Sequence, residues 1–132
     1  MTDDDDLRAL TVKQPHAWAI AAGLKDVENR SWRFWLPLGT TIAIHAGLKD
    51  DPDGLAVPVT ETPDDLVRGA LVALVDVVDC ITDSPSPWAS PGQWHWVLAN
   101  VRRLPEPIPM RGAMWLFRVS SAKATFARNT AA

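Results

Sequence analysis

The chain contains no tyrosine and only one cysteine among its 132 residues. A single cysteine, Cys80, cannot form a disulfide within the chain, so the fold must be held together by its apolar core. Cys80 and three scattered histidines do not have the spacing of a zinc site, and we expect no metal and no cofactor. No apolar run approaches the roughly 18 residues of a membrane-spanning helix, and we expect no membrane partner.

Positive charge is also in short supply, since 13 Lys and Arg residues face 16 Asp and Glu residues and the formal net charge is −3. Tight binding to a nucleic-acid duplex depends on an extended basic surface, which this balance does not favour. Many of the acids lie in two clusters, at 3–6 and 50–53, so a local positive cleft remains compatible with the total. The acidic start, where a secretory signal would be basic, predicts a cytoplasmic protein.

One charged segment is the most informative part of the chain. A short apolar run, 17–22, is predicted to form a helix that Pro15 opens and a glycine closes. A strand follows, in which alternate side chains share a face, so Glu28 and Arg30 are expected to point the same way. Lys25 stands at the entrance of this strand and can reach the same place. These three side chains are candidate site residues.

The spacing of these residues resembles a known family. Gly23, Lys25, Glu28 and Arg30 match the Gly-x-Lys-x-x-Glu-x-Arg signature of the ASCH family, small relatives of the PUA-type β-barrels. The resemblance extends from about residue 10 to about residue 119; it includes the segments 10–15, 42–46 and 94–98, Arg111 with Gly112, and Trp115. It implies a compact barrel with a cleft that binds RNA. A few family members hydrolyse nucleic acid or an acylated cytosine.

The remaining pattern predicts an α+β fold that is mostly β, with five to six strands and short helices. The resemblance makes this a PUA-like, partly closed β-barrel. We expect a single domain over 1–132, with a core at about 7–119, an acidic N-terminal tail at 1–6 and a loosely held C-terminal tail at 120–132. Prolines argue against an interior strand at 104–109, residues 82–93 are expected to form a long loop, and 63–67 a single helical turn.

The seven tryptophans have two possible uses. An indole ring can stack on a base, which is worth about 1–3 kcal/mol per base in single-strand binding, or it can fill the core. Trp18 and Trp115 are expected in the core. Trp32, one strand step beyond Arg30, is expected to border the cleft. Trp88, in the long loop, is expected to face a ligand.

The roles of the charged residues remain open at this point. Lys25 is a solvated lysine, an anchor for a phosphate or base carbonyl, or a catalytic amine. Glu28 accepts from a base amino group, acts as a general base, or holds Lys25 or Arg30 in a salt bridge. Arg30 orients Glu28 or grips phosphate, and their shared face favours the orienting role. Lys25 and Glu28 are catalytic only if the protein is an enzyme.

One departure from the family bears on enzymatic activity. In the branch that hydrolyses acylated cytosine, a threonine three residues after the lysine acts as the nucleophile. Glu28 occupies that position here, and the branch's later glutamate has no match in 82–93. The departure argues against a threonine amidohydrolase. It leaves open water activation by Glu28 and a ribonuclease that uses His45 or His95.

Three further residues complete the predicted site. Lys13 and Gln14 precede the short helix, where free N–H groups suit anions and a glutamine can read a base edge, unless the segment is a simple turn. Arg111 resembles the family's late basic turn, unless it only faces solvent. The sequence thus predicts a module that binds single-stranded or modified RNA bases in a charged cleft. The alternatives are a small hydrolase, either a ribonuclease or a modified-nucleoside amidohydrolase, and a protein-interaction module with exposed tryptophans.

Overall fold

The computed structural model describes residues 6–59 and 61–132, and within them the chain forms one six-stranded sheet and two helices. In chain order these are β1 (Arg8–Gln14), α1 (His16–Ala21), β2 (Val27–Arg30), β3 (Thr41–Asp50), β4 (Ala70–Ile81), β5 (Trp94–Pro109), β6 (Leu116–Arg118) and α2 (Ser121–Thr130). The acidic tail predicted at 1–6 lies outside the described residues, except for Asp6.

The strand order is β2-β5-β4-β3-β1-β6. β1 runs parallel to β3, and the other neighbouring pairs are antiparallel. The predicted α+β, mostly β fold of five to six strands with short helices is therefore confirmed. The sheet is open in the described part of the chain, with β2 and β6 at its two edges, so the barrel is only partly formed.

Both faces of the sheet are covered. Alternate residues of β1 enter different apolar clusters: Leu10 packs in the cluster that contains Ile20 of α1, and Ala9 packs in the one that contains Ala127 of α2. The two helices therefore cover opposite faces. This arrangement explains why β4 begins with a continuous buried run from Ala70 to Val75. No helix in the described residues is long and apolar enough to cross a membrane.

The C-terminal segment is not the loosely held tail that the sequence predicted. It forms α2, whose first turn is capped by the Ser120 hydroxyl, which accepts from the Lys123 backbone N–H. Ala124 and Ala127 are fully buried against the sheet. Their small side chains give a weak apolar signal in the sequence, although they allow the helix to approach the sheet closely.

The proline-rich segment 104–109 is also more regular than expected. It is the second half of β5 and pairs with β4, for example Leu71 with Ile108. The N–H of Met110 points toward β4, where it donates to the Gly69 carbonyl at 3.0 Å. Pro105 and Pro107 lie between Arg103, which pairs with Ala73, and Ile108, which pairs with Leu71; the register shifts there, and prolines are tolerated at such bulges. Residues 63–67, by contrast, form bends and no helical turn.

Candidate functional site

A cleft of about 800 Å³ lies between the end of β1, β2, the end of β3 and the segment that precedes β6. Its lining is strongly basic despite the negative charge of the chain. Among the described residues, five Lys or Arg side chains line it against two carboxylates: Lys13, Lys25, Arg30, Lys49 and Arg111, with Glu28 and Asp51. The predicted acidic cluster at 50–53 is therefore not wholly outside the site.

The floor of the cleft is built from the three charged residues of the signature. Arg30 donates from Nε and Nη2 to Glu28 Oε2 at 3.0 and 2.9 Å, which confirms that the two side chains share a face. Lys25 Nζ lies 3.4 Å from Glu28 Oε1, and both of these residues are 5% exposed. Arg30 Nη2 also donates to the Thr11 carbonyl at 2.9 Å and thereby ties β2 to β1. Glu28 thus holds two cations in fixed positions.

His16 extends this network, and sequence reasoning missed it as a site residue. Its Nδ1 lies 2.8 Å from Lys25 Nζ, and its Nε2 lies 2.7 Å from Asp51 Oδ2. A lysine ammonium can only donate, so Nδ1 accepts its hydrogen bond. The ring proton is therefore on Nε2, which donates a hydrogen bond to Asp51. The hydrogen bond from His16, aided by the Asp53 backbone N–H, lowers the pKa of the Asp51 carboxyl. Within the described residues, no group of three or more His, Cys, Asp or Glu is arranged to hold a metal ion.

One wall of the cleft depends on a glycine. A Cβ added to Gly112 would lie 2.7 Å from Thr11 Oγ1 and 2.8 Å from His45 Cε1, so only glycine lets this segment press against β1 and β3. His45 donates from Nε2 to the Met110 carbonyl at 2.8 Å, and its Nδ1 accepts from the Thr11 hydroxyl at 3.1 Å. Both ring nitrogens are therefore engaged, and His45 holds the segment that carries Arg111 into the cleft.

The aromatic wall differs from expectation in one respect. Trp32 lines the cleft, as predicted, and its ring meets the ring of Trp96 at 4.8 Å, edge to face. It also meets Trp115 at 5.2 Å. Trp115 was expected in the core but is 58% exposed. Trp18 is half-buried on α1, which agrees better with its predicted place.

The structure does not bring Gln14 and Trp88 into the cleft. Gln14 is buried, and its amide donates to the Val67 carbonyl at 2.7 Å and accepts from the Trp18 N–H at 2.9 Å. A side chain with those partners does not read a base. Trp88 is 8% exposed and lies outside the cleft lining. We therefore correct the expectations that Gln14 contacts a ligand and that Trp88 faces one.

Hydrogen bonds hold the long loop at 82–93 in place. His95 accepts at Nδ1 from the Ser84 N–H at 3.1 Å and donates from Nε2 to the Ser90 carbonyl at 2.7 Å. Asn29 donates to the Trp88 carbonyl and accepts from the Ser90 N–H, each at 2.9 Å. His95 has both ring nitrogens engaged and is not among the residues that line the cleft, so its contacts hold the loop in place.

Comparison with known proteins agrees with this architecture. The crystal structure of ASCH from Zymomonas mobilis superposes with a TM-score of 0.62 at 11% sequence identity, covering 97% of each chain. A mutant of that protein, with tyrosine replaced by phenylalanine, gives a TM-score of 0.62 at 12% identity over 95% of this chain and 98% of that chain. Likeness at these identities shows the fold alone.

No curated protein sequence matches the chain. The ASCH domain family model matches residues 10–108, which is three quarters of the sequence and includes the floor of the cleft. The chain belongs to the ASCH domain family.

Proposed function

We propose that this protein binds single-stranded RNA in the cleft, with phosphates held at its basic rim and a base placed beside Trp32. The observation that carries the proposal is the surplus of positive charge in the cleft of a chain whose net charge is −3. Both cleft carboxylates already have internal partners: Glu28 holds Lys25 and Arg30, and Asp51 holds His16. Neither carboxylate forms an ion pair with the remaining cleft cations, although the charge of Lys13 contributes to the lowered pKa of Asp51.

Three rim cations are available to a ligand. Lys13, Lys49 and Arg111 line the cleft, and none of them forms an ion pair within residues 6–59 and 61–132. Lys and Arg side chains on a groove are what a nucleic-acid backbone requires. A footprint this small suits a few phosphates of a flexible strand and does not suit a rigid duplex.

The floor favours a ligand rich in oxygen acceptors. Lys25 donates to His16 and forms an ion pair with Glu28 at 3.4 Å without a hydrogen bond, which leaves N–H donors for a ligand. The oxygens of Glu28 are occupied by Arg30 and Lys25, so the salt-bridge role predicted as one alternative fits better than reading a base amino group. A phosphate oxygen or a base carbonyl satisfies the free donors.

Recognition of single-stranded RNA combines stacking on aromatic rings with hydrogen bonds to splayed bases. Trp32 supplies the ring and the floor supplies the donors. Membership in the ASCH family supports the same ligand class, because the resemblance implied RNA binding. The single cysteine extends the proposal to a cytoplasmic location, where disulfides are rare.

The test measures the affinity for a short, fluorescently labelled single-stranded RNA by anisotropy over a series of salt concentrations. Three phosphate contacts at about 0.7 each predict a slope of log affinity against log salt of about −2. Arg111→Ala and Lys49→Ala should each weaken binding and reduce the slope by about 0.7. Arg128→Ala, on the exposed end of α2, is the matched control and should change neither. A slope near −8, or a preference for duplex DNA, would contradict the proposal.

A hydrolase is the second candidate, and one contact favours it. The Lys25 ammonium donates to His16 Nδ1 at 2.8 Å, and Asp51 fixes the ring from the other side. A ring nitrogen that accepts from an ammonium is placed to take a proton from it, which would leave a nucleophilic amine. We expect binding without turnover: the parent protein should leave both RNA and acetylated cytidine intact by mass spectrometry. Product formation that His16→Ala abolishes would establish the hydrolase instead.

A further inference from the structure

Trp115 has an unusual combination of exposure and backbone conformation. It is 58% exposed, and its φ is +64°. The left-handed region is disfavoured for a bulky residue, and residues held there tend to occur at functional sites. The other non-glycine residue with positive φ in the described chain is Asn100, a type that tolerates this region. Core packing does not account for a tryptophan at position 115.

The ring is nevertheless held in place. It meets the Trp32 ring at 5.2 Å with an interplanar angle of 74°, and Trp32 meets the fully buried Trp96 at 4.8 Å and 87°. Edge-to-face contacts of this kind stabilise aromatic pairs. Trp115 is therefore the outer member of three indole rings that are anchored in the core, and more than half of its surface remains open.

The segment that carries Trp115 is continuous with the cleft. Arg111 and Gly112 line the cleft, and Gly112 is packed against Thr11 and His45 too closely to admit a side chain. One residue after Trp115 the chain enters β6, which pairs with β1. The segment is thus fixed at both ends, and it presents an open ring next to Trp32 and a guanidinium at the cleft rim.

We propose that Trp115 is a stacking platform for a second nucleobase, with the linking phosphate held by Arg111. The preferred ligand is then a dinucleotide step or a longer single strand rather than a single nucleotide. This inference rests on the proposed function. An exposed tryptophan also suits a protein contact, but the neighbouring basic cleft is complementary to a polyanion, and base stacking on an aromatic ring tolerates any base.

Another exposed tryptophan provides the matched control. Trp35 is 55% exposed, close to the value for Trp115, but the Arg8 guanidinium lies over its ring at 4.9 Å. It lines a separate hollow with Leu38 and Cys80 and has no place in the cleft. Neither ring is part of the cleft lining, but Trp115 contacts Trp32, which is, whereas Trp35 lines the separate hollow.

The experiment compares two probes by calorimetry: uridine monophosphate and the dinucleotide pUpU. Trp115→Ala should weaken binding of pUpU about 5- to 150-fold, the range expected for loss of one stacked base. It should change the affinity for uridine monophosphate less than about twofold. Trp115→Phe keeps an aromatic face and should recover part of the loss, and Trp35→Ala should match the parent for both probes. Circular dichroism checks that each variant is folded.

The outcomes separate this inference from the proposed function. If the parent binds uridine monophosphate and Trp115→Ala binds pUpU as tightly as the parent does, the platform is disproved and the cleft stands. If Trp115→Ala alters only self-association in sedimentation, the ring is a protein contact and the inference also fails. If the parent binds neither probe nor the longer RNA, the proposed function itself fails.

Discussion

Glu28→Gln tests the account of the cleft floor most directly, because it removes the carboxylate that Lys25 and Arg30 share. Glutamine keeps a carbonyl that can accept from Arg30, but the Lys25 side chain, 4% exposed, is left beside a neutral group. Removing one partner of a buried ion pair costs about 3–5 kcal/mol. The retained acceptor and the 25% exposure of the Arg30 side chain reduce this energetic cost. We expect the free energy of unfolding to fall by about 2–4 kcal/mol.

Asp50→Asn is the control. Arg68 donates to Asp50 through contacts of 2.8 to 3.0 Å, shorter than the 3.4 Å between Lys25 and Glu28. The two side chains are, however, 37% and 55% exposed. Solvated ion pairs contribute little to stability, so Asp50→Asn should lower the free energy of unfolding much less than Glu28→Gln does. The contact distances alone would not predict that Glu28→Gln costs more stability than Asp50→Asn.

Urea unfolding followed by tryptophan fluorescence gives both free energies. A rescue sharpens the result: in the Glu28→Gln background, adding Lys25→Met removes the uncompensated ammonium and should restore stability. In the parent background, Lys25→Met should destabilise. Equal losses in Glu28→Gln and Asp50→Asn, or a double variant less stable than Glu28→Gln alone, would refute the reasoning.

Three further predictions concern stability. Trp88→Ala should cost about 3–5 kcal/mol in urea unfolding, because the ring is buried, and a loss below about 1 kcal/mol would favour the original ligand-facing expectation. Ala127→Glu should destabilise strongly in the same assay, because the helix packs this fully buried residue against the sheet; an unaffected protein would mean that 120–132 is a loose tail after all. Burial alone would raise the pKa of Asp76, but hydrogen bonds from Arg102 and two neutral side chains outweigh it and hold that pKa below 3.8. A carboxyl whose pKa is lower in the folded state than in the unfolded state stabilises the fold at pH values above its unfolded pKa. That stabilisation is lost as the pH falls through the folded pKa. The free energy of unfolding, measured across acidic pH, should therefore fall less steeply for Asp76→Asn than for the parent.

The geometry of one strand accounts for the centre of the predicted site. Glu28 and Arg30 are two residues apart, and the period of a strand places them on one face whatever surrounds it. Lys25 follows from the same local geometry. The number of strands was also accessible, because buried strands such as β4 have long apolar runs, and the family signature defined the class of fold.

The contact between His16 and Asp51 could not be predicted in this way. The two residues are 35 positions apart, and they meet because β1 runs parallel to β3 in a register that sets Gln14 opposite Asp50. Neither sequence segment encodes that register by itself. The mistaken assignment of Gln14 has the same origin: its two partners lie elsewhere in the fold, and they bury an amide that looked available.

The tryptophans show most clearly what the sequence determines and what only the tertiary structure determines. Composition and alternation establish that the chain has many indole rings and which strand positions share a face. They do not determine what packs over a ring. Trp88 is buried in a loop and Trp115 is open near a strand, the reverse of what local context suggested. Burial depends on which distant segments cover a side chain, and only the tertiary structure decides that.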